Sequence, residues 1–308
     1  MPDIGSERTI SVSETFETLE KGDHFASALR VVRRYGCIPD RGFDILLKST
    51  IPVNAGVSSS SAIMVAWIHF LLKAFGSSRP INNEFIAQLA YEAEVIEHNS
   101  PGGKMDQYAI SLGNIVFLNT AKDLSYKTIG TKLEGLILGE SGVPKETLGL
   151  LADLRGKAQD AIAQVKQHLS DFCLEKVTPD KVDEYSSYIS EELKPYFYAA
   201  VQNHAITQKA LLEFAKEKLD YKTIGELMSA HHKVLKDILK ITVPVIDKMI
   251  TAAMEAGAYG AKIVGSGGGG SIVALAPIDK KETIIKAIKE NGAIEAYEVS
   301  VQQGTHIL

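Results

Sequence analysis

A two-domain α+β fold is what this 308-residue sequence predicts, on three observations. A strand-rich first half is joined to long helical patterns after about residue 140, and the chain closes on strand, glycine turn, strand, helix and strand. A chain this long buries a sizeable core, as one large domain or two of roughly 150 residues. The division is placed to give domains 1–140 and 141–308, with the loops 121–132 and 139–142 as candidate linkers.

The elements follow in order. Phe43–Ser49 reads as a strand, with Phe43, Ile45 and Leu47 on one side. Pro52–Gly56 is a turn, and Ala62–Phe75 is apolar for too long to be a strand, so it is helical. Asn82–Asn99 is a second helix that Asn83 can cap, with Phe85, Ile86, Leu89, Ala93 and Ile96 as its buried stripe. Asn114–Asn119 is a short buried strand. The later helices are Lys145–Leu169, Pro195–Lys218, Ile224–Leu239 and Val245–Ala256. Ala261–Val264 and Ser271–Ala276 flank a glycine turn, before the helix Lys280–Glu290 and a strand near Ile294–Val301.

Composition excludes several classes. The values of 45% hydrophobic and 23% charged are ordinary for a globular protein. A net charge of -5 argues against a nucleic-acid surface, which needs a basic stripe. The dense cluster Arg30–Arg34 is interleaved with apolar residues and reads as the solvated face of a helix. No apolar run approaches the roughly 18 residues of a membrane span, and the polar stretch Met1–Ser13 lacks a signal-peptide core. Cys37 and Cys173 lie far apart, so reduced thiols and a cytoplasmic setting are expected. The eight histidines form no metal-ligand spacing, and His231–His232 read as helix residues, His232 buried and hydrogen-bonded. Nothing specifies an oligomeric state.

Three segments carry chemistry. Ile51–Ala62 lies between a predicted strand and a predicted helix. Glycine admits an anion close to the backbone, a helix start offers free amides, and the serines add hydroxyls, one of which can hold magnesium. No Gly-Lys-Ser/Thr follows, so this is not a Walker loop, and a serine-rich helix cap is the bland alternative. Gly260–Leu275 holds the run Gly265–Gly270 between β-branched flanks, a turn that approaches either a ligand or another part of the chain. Pro101–Tyr108 places Lys104, Asp106 and Gln107 beside two glycines. A carboxylate aimed by such a turn can accept a hydroxyl proton during phosphoryl transfer, or can simply cap a helix.

In this order the segments resemble the second motif, the acidic turn and the third motif of the GHMP kinases. Pro52, Ala55, Gly56, Ser58, Ser59, Ser60 and Ala62 match the galactokinase form of the second motif, with Asn54 in place of a usual glycine and Ser61 in place of an alanine. Met105, Asp106 and Gln107, preceded by Gly103, keep the galactokinase turn, where mevalonate kinases usually carry Ile-Asp-Asn. Met228, His232, Leu235 and Asp237 before Val243-Pro244 resemble a further galactokinase stretch. The likeness spans about Gly42 to Ala276. It implies the two-domain GHMP kinase fold, with an N-terminal domain like ribosomal protein S5 domain 2 and a ferredoxin-like C-terminal domain. It also implies an ATP- and Mg2+-dependent kinase acting on a small sugar, with no nucleic-acid or membrane partner. The resemblance gives Ala55, Gly56, Val57, Ser58, Ser59, Ser60 and Ser61 to the nucleotide phosphates, with Gly265, Gly267 and Gly268 closing over them. Ser60 and Glu94 would hold magnesium, Asp106 would act as base or electrostatic anchor, and Gly103 would touch the sugar.

Two departures shape the expectation. The family's first motif has no counterpart, the nearest string being Gly22–Phe25, and the Ser-Glu-Tyr of many galactokinases is absent around Ser141–Thr147. The chain is therefore expected to bind MgATP but to phosphorylate sugars poorly without an upstream segment. Lys104 in Gly-Gly-Lys-x-Asp-Gln-Tyr resembles heptose-phosphate kinases, and it either pairs with an anionic substrate or is a surface lysine. Transfer to an anomeric sugar hydroxyl is the leading reading. Heptose-phosphate, galacturonate and mevalonate-type kinases are the alternatives, and a non-catalytic nucleotide- or sugar-binding relic is the rival from another class.

Overall fold

Asp23 starts the first helix, α1 (His24–Arg33), by accepting the Ala26 N–H at 3.1 Å, and Arg8 grips the same carboxylate with both guanidinium nitrogens. In this computed structural model, residues 1–120, 124–144 and 148–307 are described. Part of the loop 121–132 and the start of the helix predicted from Lys145 lie outside them. Two compact units emerge, one of residues 1–54, 58–131 and 301–308, the other of 55–57 and 132–300. The chain thus changes unit between Thr131 and Lys132, whereas the sequence division was drawn at 140.

The first unit is mainly helical among the described residues and not strand-rich as the sequence suggests: α1, α2 (Ser59–Phe75), α3 (Asn83–Tyr91) and α4 (Met105–Leu112), with the antiparallel pair β1 (Ile115–Asn119) and β2 (Ser125–Ile129). Leu29, Val32, Ile68, Leu72, Ile86 and Leu89 interlock as its core, each such burial being worth about 1.5–3 kcal/mol. Asn82, not Asn83, caps α3, its side chain accepting the Phe85 N–H at 2.8 Å. After Tyr91 the helix widens into a π turn, Glu92–Ile96, closed by Glu97 N–H to Glu92 C=O at 2.9 Å. The extra residue shifts the helical phase, so Val95 is buried and Ile96, placed in the buried stripe by periodicity, is 55% exposed. The arginine cluster is also more than a solvated face. Arg30 and Arg34 clasp the largely buried Glu97, and Arg33 donates to the carbonyls of Val12 and Glu14. The strand expected at Phe43–Ser49 does not form, because no described strand lies beside it to complete a ladder.

The second unit contains β3 (Leu136–Glu140), α5 (Leu148–His168), the single turn α6 (Val182–Tyr185), α7 (Lys194–Phe214), α8 (Tyr221–Lys233), α9 (Pro244–Glu255), β4 (Gly260–Ile263), β5 (Ser271–Leu275), α10 (Lys281–Glu290) and β6 (Glu295–Val299). Its sheet runs β4-β5-β3-β6, every pairing antiparallel. Ile137, Ile246, Met249, Ile263, Ile272 and Ile288 fill its core, and α7 buries Phe197 and Val201 in a satellite cluster. Gly225 and Gly260 bring α8 onto β4: a Cβ on Gly260 would lie 1.8 Å from the Gly225 carbonyl oxygen. His232 is buried as expected but without the expected bond. Its Nδ1 has no partner, and its Nε2 stands 4.0 Å from Asp247.

After β6 the chain re-enters the first unit. Gln302 C=O accepts the Asn114 N–H at 2.7 Å, Thr305 N–H donates to Ser111 C=O at 3.0 Å, and the Thr305 hydroxyl meets His69 Nδ1 at 2.8 Å. No described helix is long and apolar enough to cross a membrane.

Candidate active site

The expected phosphate segment adopts left-handed backbone at Asn54 (φ 59°), Gly56 (φ 81°) and Ser58 (φ 59°). Asparagine tolerates that conformation nearly as well as glycine, which explains its presence at 54. Ser58 is the N-cap of α2 but makes no side-chain cap bond, and the N–H groups of Ser59, Ser60 and Ser61 have no carbonyl partner. The start of a 17-residue helix with free amides is a site prepared for an anion.

In the first unit the side chains around that helix start converge on one carboxylate. Ser60 Oγ donates to Glu94 Oε1 at 2.7 Å, Ser61 Oγ to Glu94 Oε2 at 2.7 Å, and Gln107 Nε2 to Glu94 Oε2 at 2.7 Å. The π turn delivers Glu94 to this point, and such turns are frequent at functional sites. Its two neighbours have other duties. Glu92 accepts from the Tyr35 hydroxyl and Gln88, and Glu97 holds two arginines. All of Glu94's described donors are uncharged, so its negative charge is solvated by dipoles and lacks an ion-pair partner. Gln107 is only 3% exposed, and its Oε1 has no partner. An uncompensated carboxylate beside a hydroxyl and an orphan amide oxygen suits a hard divalent cation such as magnesium.

Asp106 lies in the first turn of α4, where the helix dipole favours a negative charge. It is not the cap, a position taken by Lys104, and no described group bonds its carboxylate. Gly103 is exposed, and a Cβ there would meet nothing within 4 Å. Lys104 Nζ sits 5.3 Å from the Tyr91 ring centroid and pairs with no described carboxylate.

One group carries no signal in the sequence. His24, within Gly22–Phe25, the string nearest to the missing first motif, is close enough to Glu94 to feel its charge. It meets His98 edge-on at 5.2 Å, and burial lowers its pKa more than Glu94 raises it. Nothing in the spacing of residues 24, 94 and 98 signals this grouping.

In the second unit the glycine run packs on Ala55–Val57. Ser271 Oγ donates to the Ala55 carbonyl at 2.7 Å. A Cβ at Gly265 would stand 3.0 Å from Gly56 O, and one at Gly270 would stand 2.9 Å from Ala55 O. Gly265, Gly267, Gly268, Gly269 and Gly270 all have positive φ, which L side chains rarely adopt. Gly268 N–H donates to Ile241 C=O and Gly270 N–H to Val143 C=O, so those donors are committed. The amides of Gly265, Ser266 and Gly267 are not. Of the three glycines given to the phosphates, Gly265 and Gly267 therefore keep a free N–H and Gly268 does not. No cluster of histidine, cysteine or carboxylate side chains able to hold a metal by itself occurs among the described residues.

Comparison with known proteins defines the class. The family model for the GHMP kinases N terminal domain matches residues 23–114, and the model for the GHMP kinases C terminal matches 208–294. The chain belongs to the GHMP kinases, with their two-domain fold. Within that family it is galactokinase-like. It is 28% identical to a galactokinase of Thermococcus kodakarensis over 290 residues, covering 91% of this chain and 79% of that protein. A mevalonate kinase of Thermococcus sibiricus is 25% identical over 267 residues, covering 87% of this chain and 69% of its own. In fold it is similar to the galactokinase of Lactococcus lactis, solved with galactose, at a TM-score of 0.81 and 21% identity, covering 95% of this chain and 78% of that one.

Proposed function

We propose that this chain transfers the γ-phosphoryl group of ATP to a sugar hydroxyl, the anomeric one. The observation that carries the reading is the convergence of Ser60, Ser61 and Gln107 on Glu94, with Gln107 next in sequence to Asp106, whose carboxylate no described group bonds. In the proposed arrangement the amides of Ala55–Ser61 bind the phosphates, with Gly265, Gly267 and Gly268 against them. Ser60 and Glu94 hold Mg2+, which would supply charge neutralisation at the phosphoryl oxygens. Gly103 leaves room for the acceptor beside Asp106. Asp106 takes the proton from the attacking hydroxyl as the oxygen–phosphorus bond forms and the bridging bond to ADP breaks. Because such transfer has a loose transition state, positioning and charge placement are most of what the protein must provide.

A second reading has its own support. Lys104 is a cation without a described carboxylate partner at the start of α4, and it would suit an acceptor carrying a phosphate or carboxylate, such as a heptose phosphate or galacturonate. ADP release measured over a panel of neutral sugars, sugar phosphates, uronic acids and mevalonate decides between these readings. ADP formation dependent on a neutral aldose supports the first, and dependence on an anionic one supports the second. Nucleotide binding with no acceptor-dependent ADP at all would leave a binding protein and defeat both.

A further inference from the structure

The stretch Met228, His232, Leu235 and Asp237 before Val243-Pro244 stands out in the sequence, and the proposed reaction makes no use of it. In the second unit it leads to the glycine turn. The π turn Val234–Ile238 that follows α8 closes with Leu239 N–H to Val234 C=O at 3.1 Å, and Lys240 then takes a left-handed conformation (φ 54°). Ile241, 4% exposed, comes next and donates its N–H to Leu235 C=O at 3.1 Å. Its own carbonyl accepts the Gly268 N–H at 2.7 Å, and a Cβ on Gly267 would stand 2.5 Å from the same oxygen. Gly267 and Gly268 thus rest on a single residue whose place is set by the end of α8. Beside them the N–H groups of Gly265, Ser266 and Gly267 are uncommitted, and the buried Ser266 hydroxyl has no described partner.

An ion pair spans the connection that carries Ile241. Lys236 Nζ, in the π turn, lies 3.1 Å from Asp247 Oδ2, in the first turn of α9. Asp247 Oδ1 is buried without a described hydrogen bond, and His232 Nε2 stands 4.0 Å from it. Lys236 is therefore the described cation on which this half-buried carboxylate depends, and removing one partner of such a pair strands the other. We propose that Lys236 and Asp247 are positioning residues: their pair braces α8 against α9 across Ile241 and so fixes the glycine turn where its free amides meet the nucleotide phosphates. The last step rests on the phosphate role proposed for that turn. A displacement of about 1 Å is enough to matter, because groups that position a reactant lose much of their effect at that distance.

The full chain tests this with and without nucleotide. Lys236→Met keeps the aliphatic stem and removes the cation, and Asp247→Asn breaks the same pair without stranding a charge. In both, amide exchange at Ile241 and Gly268 is expected to quicken by about fivefold or more, while the buried Ile137 and Phe197 hold their rates. Calorimetric titration should show MgADP bound about fivefold more weakly. Lys236→Arg, which keeps the pair, should match the wild type in both measurements. His232 gives an electrostatic check by proton NMR. Burial is the largest influence holding its pKa down; Asp247 and Asp237 raise it, Lys236 and Lys262 lower it, and His231 is a further neighbour. Its titration should move up in Lys236→Met and down in Asp247→Asn, a split that loss of packing alone would not give. Unchanged exchange at Gly268 in both variants overturns the brace, and so does quickening spread evenly over the unit. Faster exchange at Gly268 with MgADP affinity unaltered removes the positioning role. A wild-type chain that binds no MgADP defeats the kinase reading instead, and the exchange and titration results still decide the brace.

Discussion

Asp106 and Glu94 are both carboxylates in the first unit, and their surroundings differ in the way the proposed roles require. Glu94 is saturated with neutral donors, which fix its position and leave its charge for a cation. Asp106 is left without a partner in the first turn of a helix. We therefore expect Asp106→Asn to keep its shape and nucleotide affinity but lose roughly 10²–10⁴ in kcat, as for a positioned proton acceptor. Steady-state turnover together with calorimetric titration of a non-hydrolysable nucleotide checks this, and wild-type turnover in the variant would make Asp106 structural. Ser60→Ala and Glu94→Gln should each raise the magnesium concentration for half-maximal activity, Glu94→Gln more, because it removes charge as well as a ligand. A magnesium titration that is unchanged in both would place the cation elsewhere. Asp106 and Ser60 stood out in the sequence because they lie in short motifs, and Glu94 only through the family resemblance; the roles given to all three belong to the proposed function. His24 did not stand out, because its approach to Glu94 is made by the packing of α1 on the π turn, and no local pattern encodes a contact across that separation.

Element by element, legibility followed the strength of the local signal. The long apolar stretch of α2 and the strand–turn–strand around Gly265–Gly270 were readable to within a few residues. The π turns at Glu92–Ile96 and Val234–Ile238 were not, since one inserted residue leaves composition unchanged while moving the buried face. The strand expected at 43–49 failed for a different reason: strand propensity is realised only when a neighbour supplies the ladder. The approach of α8 to β4 gives a sharp test at this scale. Gly225→Ala or Gly260→Ala places a methyl within about 2.3 Å or less of backbone, which neither element can yield without separating. Each should cost about 2 kcal/mol or more by urea unfolding. Gly156→Ala, in the interior of α5 with nothing within 4 Å of the new methyl, should instead stabilise by about 0.5–1 kcal/mol. Equal responses from the two kinds of variant would contradict the packing described.

For the whole molecule, buried and half-buried histidines make stability depend on acidity. Burial holds His231 down at about 4, with Lys262 adding in the same direction, and burial also lowers His24, His69 and His232. Each of these groups takes up its proton at lower pH in the folded chain than in the unfolded one, where it protonates near pH 6.5, so the unfolded state binds more protons below that pH. Stability is therefore complete above about pH 6.5 and is lost as pH falls toward 4, with a slope for His231 approaching ~1.4 kcal/mol per pH unit. Urea midpoints measured from about pH 7 down to 5 should fall, and His231→Gln should flatten the decline. A midpoint that rises on acidification would show that these side chains are not desolvated. The return of residues 301–307 to Ser111, Gly113 and Asn114 bears on the order of manufacture. The first unit opens the chain, but its last contacts are synthesised only after the second unit has emerged, a delay on the order of ten to thirty seconds at ordinary elongation rates. During that interval the nascent first unit waits with the Gly113 edge and His69 uncovered, so its completion is timed by the translation of its neighbour.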